Sequence, residues 1–407
     1  MEPRKPIHAG LNIALVGYTS AFAVVIAGLQ AVGATPTQAT SGLAALCVTV
    51  GLGTLWLSLR HRIPITLAWS TPGAAVLVST GGVHGGWPAA IGAFLLAGAL
   101  VMLTGIWPRM GALITAIPAP IAQAMLAGVV LQLCLSPVRG LASHPWQVTP
   151  ILLTWLVFAR FATRWAVPAA FVVTLAVIAL SHHADLSGPL LPHPVWTTAR
   201  LSWVAVAGVT VPLYLVTMAA QNVPGVAIMV SYGYRVPWRE SMTVTGLGTL
   251  AGAPFGGHAI NLAAISAAVP ASPEAHCDPA RRWPAATAFG AAYLVLAALT
   301  TALTTLVAGA PSEVIGAVAG LGLLSTLGSS LAAAMSGSAD LAGRAPAAIT
   351  FVVAASGLSL AGISAAFWAL AAGLVVQAAL RPARNLNAEN TSPRPADAEN
   401  AALGIHD

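Results

Sequence analysis

In the run GAPFGGHAINLAAISAAV, residues 252–269, one side chain can take up a proton, His258, and one amide, Asn261, can both donate and accept hydrogen bonds. Gly256 and Gly257 stand directly before the histidine. A second polar group lies in TMAAQNVPGVA, where Gln221 and Asn222 precede Pro224 and Gly225. A third lies in IPITLAWSTPGAAVLVST, where Ser70 and Thr71 abut Pro72 and Gly73. Amides, hydroxyls and free backbone N–H groups bind anions, and an imidazole titrating at about 6.5 can carry a proton beside one. Nothing near these residues resembles a Walker loop, a metal-ligand cluster or a nucleophile elbow. Binding and proton exchange are therefore expected, with no catalytic residue, metal or cofactor.

The elements that hold these residues must lie in hydrocarbon. Of 407 residues, 57% are hydrophobic and 7% charged, against roughly a quarter charged in soluble domains. Mean hydropathy is +0.83. This composition specifies an all-α polytopic membrane protein and excludes the soluble classes. The net charge of +6 reflects topology rather than nucleic-acid binding. Cys47, Cys134 and Cys277 are too scattered for a ligand cluster or a disulfide framework. MEPRKPIH leads into a full apolar span without a small-residue cleavage site, so the first span is expected to remain as an anchor.

Apolar runs long enough to cross a bilayer begin near Leu11, Ser41, Ile63, Pro88, Ala112, Pro150, Ala166, Ala205, Ser241, Phe255, Pro284, Ser312, Ala345 and Ile363. That gives about fourteen spans. With the N-terminus inside, the inner loops hold 15 of the 17 basic residues, and only Arg139 and Arg200 fall outside. The positive-inside rule thus supports fourteen spans with both termini cytoplasmic. The polar tail over 385–407 is expected to be disordered.

The chain also repeats. GLGTL at Gly51 recurs at Gly246, 195 residues on, and PIAQAMLAG from Pro120 resembles PSEVIGAVAG from Pro311, 191 residues on. Both matches pair span n with span n+7. Seven is odd, so the second copy is inverted, which is a transporter signature. In such folds short, Gly/Pro-interrupted spans at matching positions mark the site, and spans 3 and 10 satisfy that rule. Ser70-Thr71 before Pro72 reads as a helix start part-way through the membrane. Span 10 is expected to start its half-helix around His258, so that two half-helix N-termini, including Gly73 and Gly257, converge on an anion.

Each polar residue has a plainer reading beside the functional one. His258 is a proton carrier or a structural histidine bonded to nearby backbone; an ionisable group inside a membrane favours the first. Gln221 and Asn222 are substrate contacts or interhelical glue. Tyr18, Phe22, Trp69 and Phe255 are an aromatic wall or ordinary packing.

TMAAQNVPGVAIM, APFGGHAINLAAISAA, PEAHCDPARRW and AMLAGVVLQ resemble the benzoate/proton symporter (BenE) family over about residues 8–384. The resemblance implies a fold shared with uracil permeases and with sulfate and bicarbonate transporters. It implies a core domain over 11–107 and 203–307, and a gate domain over 108–182 and 308–380. The substrate would lie between spans 3, 8 and 10. Uracil permeases look to carry a glutamate where FGGHAIN has His258, and an acidic residue where this chain has Ala220-Gln221-Asn222. Histidine and amides suit a carboxylate better than a nucleobase.

The expected function is import of benzoate or a similar aromatic carboxylate with a proton, by alternating access in a bacterial inner membrane. Substrate-contact candidates are Ser70, Thr71, Gly73, Gln221, Asn222, Gly257, His258 and Asn261. The partners are that carboxylate, a proton and membrane lipid; a homodimer is compatible with this reading, and nucleic acid is not. The alternatives are a nucleobase, inorganic anion or aliphatic acid as cargo, and, from other classes, a channel or a membrane enzyme.

Overall fold

The structure is a computed structural model, and it describes residues 5–107, 109–111, 118–181, 191–264, 266–307, 310–336 and 341–380. The tail expected to be disordered lies outside the described residues. Among the described residues, eight helices are long and apolar enough to cross a membrane. Shorter apolar helices run over Gly343–Ala355 and Ala365–Leu380.

Helix α1 (Lys5–Ala31) is followed by α2 (Pro36–His61). Thr35 starts α2 with a capping box: its hydroxyl accepts the Gln38 N–H, and the Gln38 side chain accepts the Thr35 N–H at 2.9 Å. Strand β1 (Leu67–Trp69) and α3 (Thr71–Thr80) then share one membrane crossing. After α4 (Gly86–Ile106) come α5 (Ala119–Cys134), α6 (Ser136–Ser143), α7 (Pro145–Phe161) and α8 (Ala166–Ser181). The apolar face of span 3 is thus a strand followed by a half-length helix of about 15 Å.

The second half opens with α9 (Trp203–Ser231), widened into π turns at Val206–Thr210 and Met218–Asn222. Pro224 has no N–H to offer the preceding turn, so the ladder is rearranged there. Next come α10 (Trp238–Gly252), β2 (Ile260–Leu262) and α11 (Ala268–Ala271). The chain finishes with α12 (Trp283–Val307), α13 (Ser312–Met335), α14 (Leu341–Ala355) and α15 (Ala365–Leu380).

Glycines set two close helix crossings. A Cβ on Gly51 of α2 would meet the Gly290 carbonyl oxygen of α12 at 2.8 Å. A Cβ on Gly246 of α10 would meet the Met102 backbone N of α4 at 2.6 Å. Both glycines open a GLGTL, so each copy of that pentapeptide lets two helices approach to backbone contact. Around these crossings α1, α2, α4, α10 and α12 pack together, while α13 and α14 pack on α5, and α7 on α8. The largest buried side chains, among them Tyr18, Phe22, Phe94, Phe289 and Tyr293, fill the first group.

One expectation needs correction. Span 10 does not begin a half-helix at His258; it runs through a 3₁₀ turn, Ala253–Phe255, into extended chain, and its short helix α11 begins only at Ala268. Gly256 has φ +98°, a left-handed conformation that ends the turn and suits glycine. The extended residues then pair with β1, which satisfies their backbone groups inside the membrane without a helix.

Candidate functional site

The two strands form an antiparallel pair with Leu67 opposite Leu262, Ala68 opposite Asn261 and Trp69 opposite Ile260. Two further bonds extend the pair: the Ser70 N–H donates to the Ala259 carbonyl (2.8 Å) and the Ala263 N–H to the Thr66 carbonyl (3.0 Å). The remaining strand donors are met by side chains. Leu67 N–H donates to Thr54 Oγ1 at 3.0 Å, and Ile260 N–H donates to Thr249 Oγ1 at 3.1 Å. Thr54 and Thr249 are the threonines of the two GLGTL copies. Leu262 N–H donates to Asn222 Oδ1 at 2.8 Å. The π turn of α9 delivers Asn222, fully buried, to that position.

Asn261 is also fully buried. In the amide orientation its neighbours require, its nitrogen donates to the carbonyls of Leu262 (3.0 Å) and Ala68 (3.3 Å), and its oxygen accepts from Ser70 N (3.3 Å). Asn261 thereby locks the strand pair to the start of α3. Ser70 caps that helix as the spacing predicts: its hydroxyl accepts the Gly73 N–H at 3.1 Å and the Thr217 hydroxyl of α9 at 2.8 Å. Gly73 is required there, because a Cβ would meet Leu213 Cδ1 at 2.4 Å and Ser70 Oγ at 2.7 Å.

A cavity of about 950 Å³ opens beside this knot. Thr71 and Pro72, at the start of α3, border it together with Trp69, Gln221, Ser266 and Tyr293. Trp69 and Tyr293 meet edge-to-face with centroids 5.4 Å apart. Residues 161–165 between α7 and α8 also border it, as do α13 residues such as Gly322 and Thr326.

Of the residues singled out from the sequence, Trp69, Thr71 and Gln221 border this cavity. Ser70, Gly73, Asn222 and Asn261 stand one layer behind and hold its wall in place. Tyr18 packs behind Trp69, with ring centroids 5.6 Å apart. Phe22 touches Phe171 of α8 at 5.4 Å and faces a different, smaller cavity. Phe255 departs from the expected wall: its ring packs on Trp196 at 5.4 Å, in the segment that crosses the far end of the molecule. The turn at Gly256 carries Phe255 away from the strands.

His258 does not border the cavity either. Its ring is fully buried and lies edge-on to Phe94 of α4, with centroids 6.4 Å apart. Its Nδ1 accepts the Ala259 N–H, which leaves the neutral tautomer with a proton on Nε2, and that atom has no partner among the described residues. Gly257 N–H donates to the Gly252 carbonyl at 3.0 Å, holding the turn before the histidine. Tyr293 and Arg164 border the cavity without having been singled out. No motif marks Tyr293 within its apolar span, and Arg164 reads from sequence only as one of many inner-loop arginines.

A family model described as benzoate membrane transport protein (BenE) matches residues 3–379. The chain belongs to the BenE family. It is 38% identical over 376 residues to the inner membrane protein YdcO of Escherichia coli, covering 91% of this chain and 94% of that one. To the benzoate membrane transport protein of Acinetobacter baylyi it is 28% identical over 377 residues, covering 90% and 93%. Among solved structures it resembles the transmembrane domain of a cyanobacterial bicarbonate transporter, with a TM-score of 0.59 at 14% identity over 93% of this chain and 96% of that one. It also resembles the murine solute carrier 26 member A9 anion transporter in its inward-facing state, with a TM-score of 0.65 at 13% identity over 92% of this chain and 68% of that one. These likenesses give the fold. This BenE protein is a membrane transporter rather than an enzyme.

Proposed function

We propose that this BenE protein imports benzoate or a closely related aromatic carboxylate together with a proton. The observation that carries the reading is the cavity at the N-terminus of α3, where Thr71 and Gln221 offer polar contacts beside the Trp69 and Tyr293 rings. The positive end of a helix favours a carboxylate, and aromatic edges favour an aromatic ring. The benzoate transport named for the Acinetobacter relative supports the same substrate class.

Proton coupling follows from the membrane potential. An anion entering a cell that is negative inside works against ~2.3 kcal/mol per charge per 100 mV, and one accompanying proton cancels that cost. His258 is the proposed carrier. Among the described residues only His258 and Arg282 are buried side chains that bear or gain positive charge, and Arg282 sits in the loop after α11. Because His258 lies behind the strand pair here, proton exchange with the substrate would belong to another conformation.

The wider reading keeps fourteen spans, an inverted seven-plus-seven repeat, and a core and a gate domain moving past one another. The cavity is bordered by 161–165, the inner-loop segment that carries Arg164. By the positive-inside rule that segment is cytoplasmic, with the protein in the inner membrane. The relative named as an inner membrane protein agrees with that placement.

The test is uptake of radiolabelled benzoate into proteoliposomes under an imposed pH gradient, competed with uracil, bicarbonate, sulfate and aliphatic acids. Gradient-driven accumulation displaced by aromatic carboxylates alone supports the reading. Uptake that ignores the pH gradient, or that uracil or an inorganic anion displaces, replaces it with a transporter of the same fold and different cargo.

A further inference from the structure

Among the described residues bordering the cavity, Arg164 is the only one with a charged side chain. It sits on a single 3₁₀ turn, Thr163–Trp165, where α7 ends and α8 has not begun. Its guanidinium also meets a carboxylate that does not border the cavity: Arg164 Nη1 lies 3.4 Å from Glu274 Oε2. The two come from separate elements, since Glu274 follows α11 (Ala268–Ala271) while Arg164 lies between α7 and α8.

The backbone that carries Glu274 is anchored. The Glu274 N–H donates to Ser272 Oγ at 3.2 Å. The buried Arg282 ties the same loop together, donating to the carbonyls of Ala271 (2.6 Å), His276 (2.7 Å) and Cys277 (3.3 Å). The ion pair itself is loose, with side chains 67% and 58% exposed, and an exposed pair of that kind contributes little to stability. The other described acids at this end have their own cations: Glu240 meets Arg60 and His61, and Asp278 meets Arg281. A carboxylate on an anchored loop, holding the one charged side chain among the described cavity residues in a bond that is easily broken, is the geometry of a stand-in ligand.

We infer that Arg164 docks the substrate carboxylate at the edge of the cavity, and that Glu274 occupies the guanidinium when no substrate is there. A carboxylate moving between α3 and solvent exchanges places with Glu274. Guanidinium suits the exchange because its planar fork accepts either carboxylate in the same geometry. The inference rests on the aromatic-carboxylate reading above and adds a second, charged station to it.

The experiment measures benzoate and benzamide affinity by tryptophan fluorescence on the purified full chain, for the parent protein, R164Q, R164K, E274Q and R164Q/E274Q. Benzamide keeps the ring and loses the charge. E274Q should tighten benzoate by about two- to five-fold, because a competing exposed pair is removed. R164Q should weaken benzoate by several-fold, with R164K between it and the parent. The double variant should match R164Q, since Glu274 acts only through the arginine. Benzamide should shift with none of them.

Parent protein that binds no benzoate overturns the carboxylate reading, and this proposal falls with it. Parent protein that binds benzoate while both single variants leave affinity unchanged overturns the proposal alone. So does an equal shift of benzoate and benzamide, which would mark Arg164 as a packing residue. R164K keeps the charge and stem, so its partial recovery separates lost docking from a misfolded turn.

Discussion

His258 and Thr71 do different work although both stand out in the sequence. Thr71 borders the cavity; His258 is buried a layer away against Phe94. Thr71→Val and Gln221→Leu should therefore each weaken benzoate binding by several-fold, because they remove polar contacts from the cavity wall. His258→Gln should leave benzoate affinity at fixed pH within about two-fold, yet abolish accumulation driven by a pH gradient. Equilibrium binding and proteoliposome uptake on the same preparation check both outcomes. A histidine variant that still concentrates benzoate at the expense of a proton gradient would remove His258 from the coupling scheme. The residue types were legible from sequence, but their depth was not. Which of two adjacent polar residues reaches a cavity depends on the cap: Ser70 turns its hydroxyl to the Gly73 N–H, while Thr71, one position on, borders the cavity.

At the level of elements, the decisive object is a two-stranded sheet in the middle of a helical membrane protein. Span 3 was readable because hydroxyl, proline and glycine occur at cap spacing, and Ser70 and Gly73 take the cap positions expected of them. Span 10 is less legible because its glycines permit both a helix start and a turn. The choice went to the turn and strand, since β1 offered partners for the backbone and a helix from His258 would have left β1 unpaired. The two GLGTL threonines serve this sheet equally. Thr54→Val and Thr249→Val each orphan one buried strand N–H and should cost about 1–3 kcal/mol of stability. Thermal unfolding in detergent, followed by helical circular dichroism, should show similar losses in both. If only one variant is affected, the two halves do not share this support.

At the scale of the whole molecule, two cavities lie towards opposite ends of the bundle. The larger is bordered by 161–165; the smaller, about 370 Å³, is bordered by Gln30, Thr40, Thr304 and Ser312 and has Phe22 in its wall. Between them Phe22 of α1 meets Phe171 of α8 edge-to-face at 5.4 Å. That pair should act as the barrier that keeps the cavity closed to the far side. Cys47 and Cys134 are buried and Cys277 is exposed, so a C277S background isolates an added S20C in the larger cavity. In that background Phe171→Ala should raise labelling of S20C by a membrane-impermeant thiol reagent, added from the far side, by at least about ten-fold. Unchanged labelling would put the barrier elsewhere.

Sequence alone determined the solvent, because hydrocarbon tolerates so few charges that 7% charged residues and long apolar runs allow no soluble fold. It also determined where the chain breaks, because proline and glycine punctuate helices wherever they sit, and it carried the family. Tertiary structure decided what the broken pieces became. Antiparallel pairing of residues almost two hundred positions apart turned span 10 into a strand. The same pairing moved His258 out of the cavity wall and carried Phe255 to the far end, while helix packing brought Tyr293 and Arg164 in. Backbone hydrogen bonds inside a membrane must be satisfied by whatever lies alongside, and that neighbour is set by the fold rather than by the local sequence.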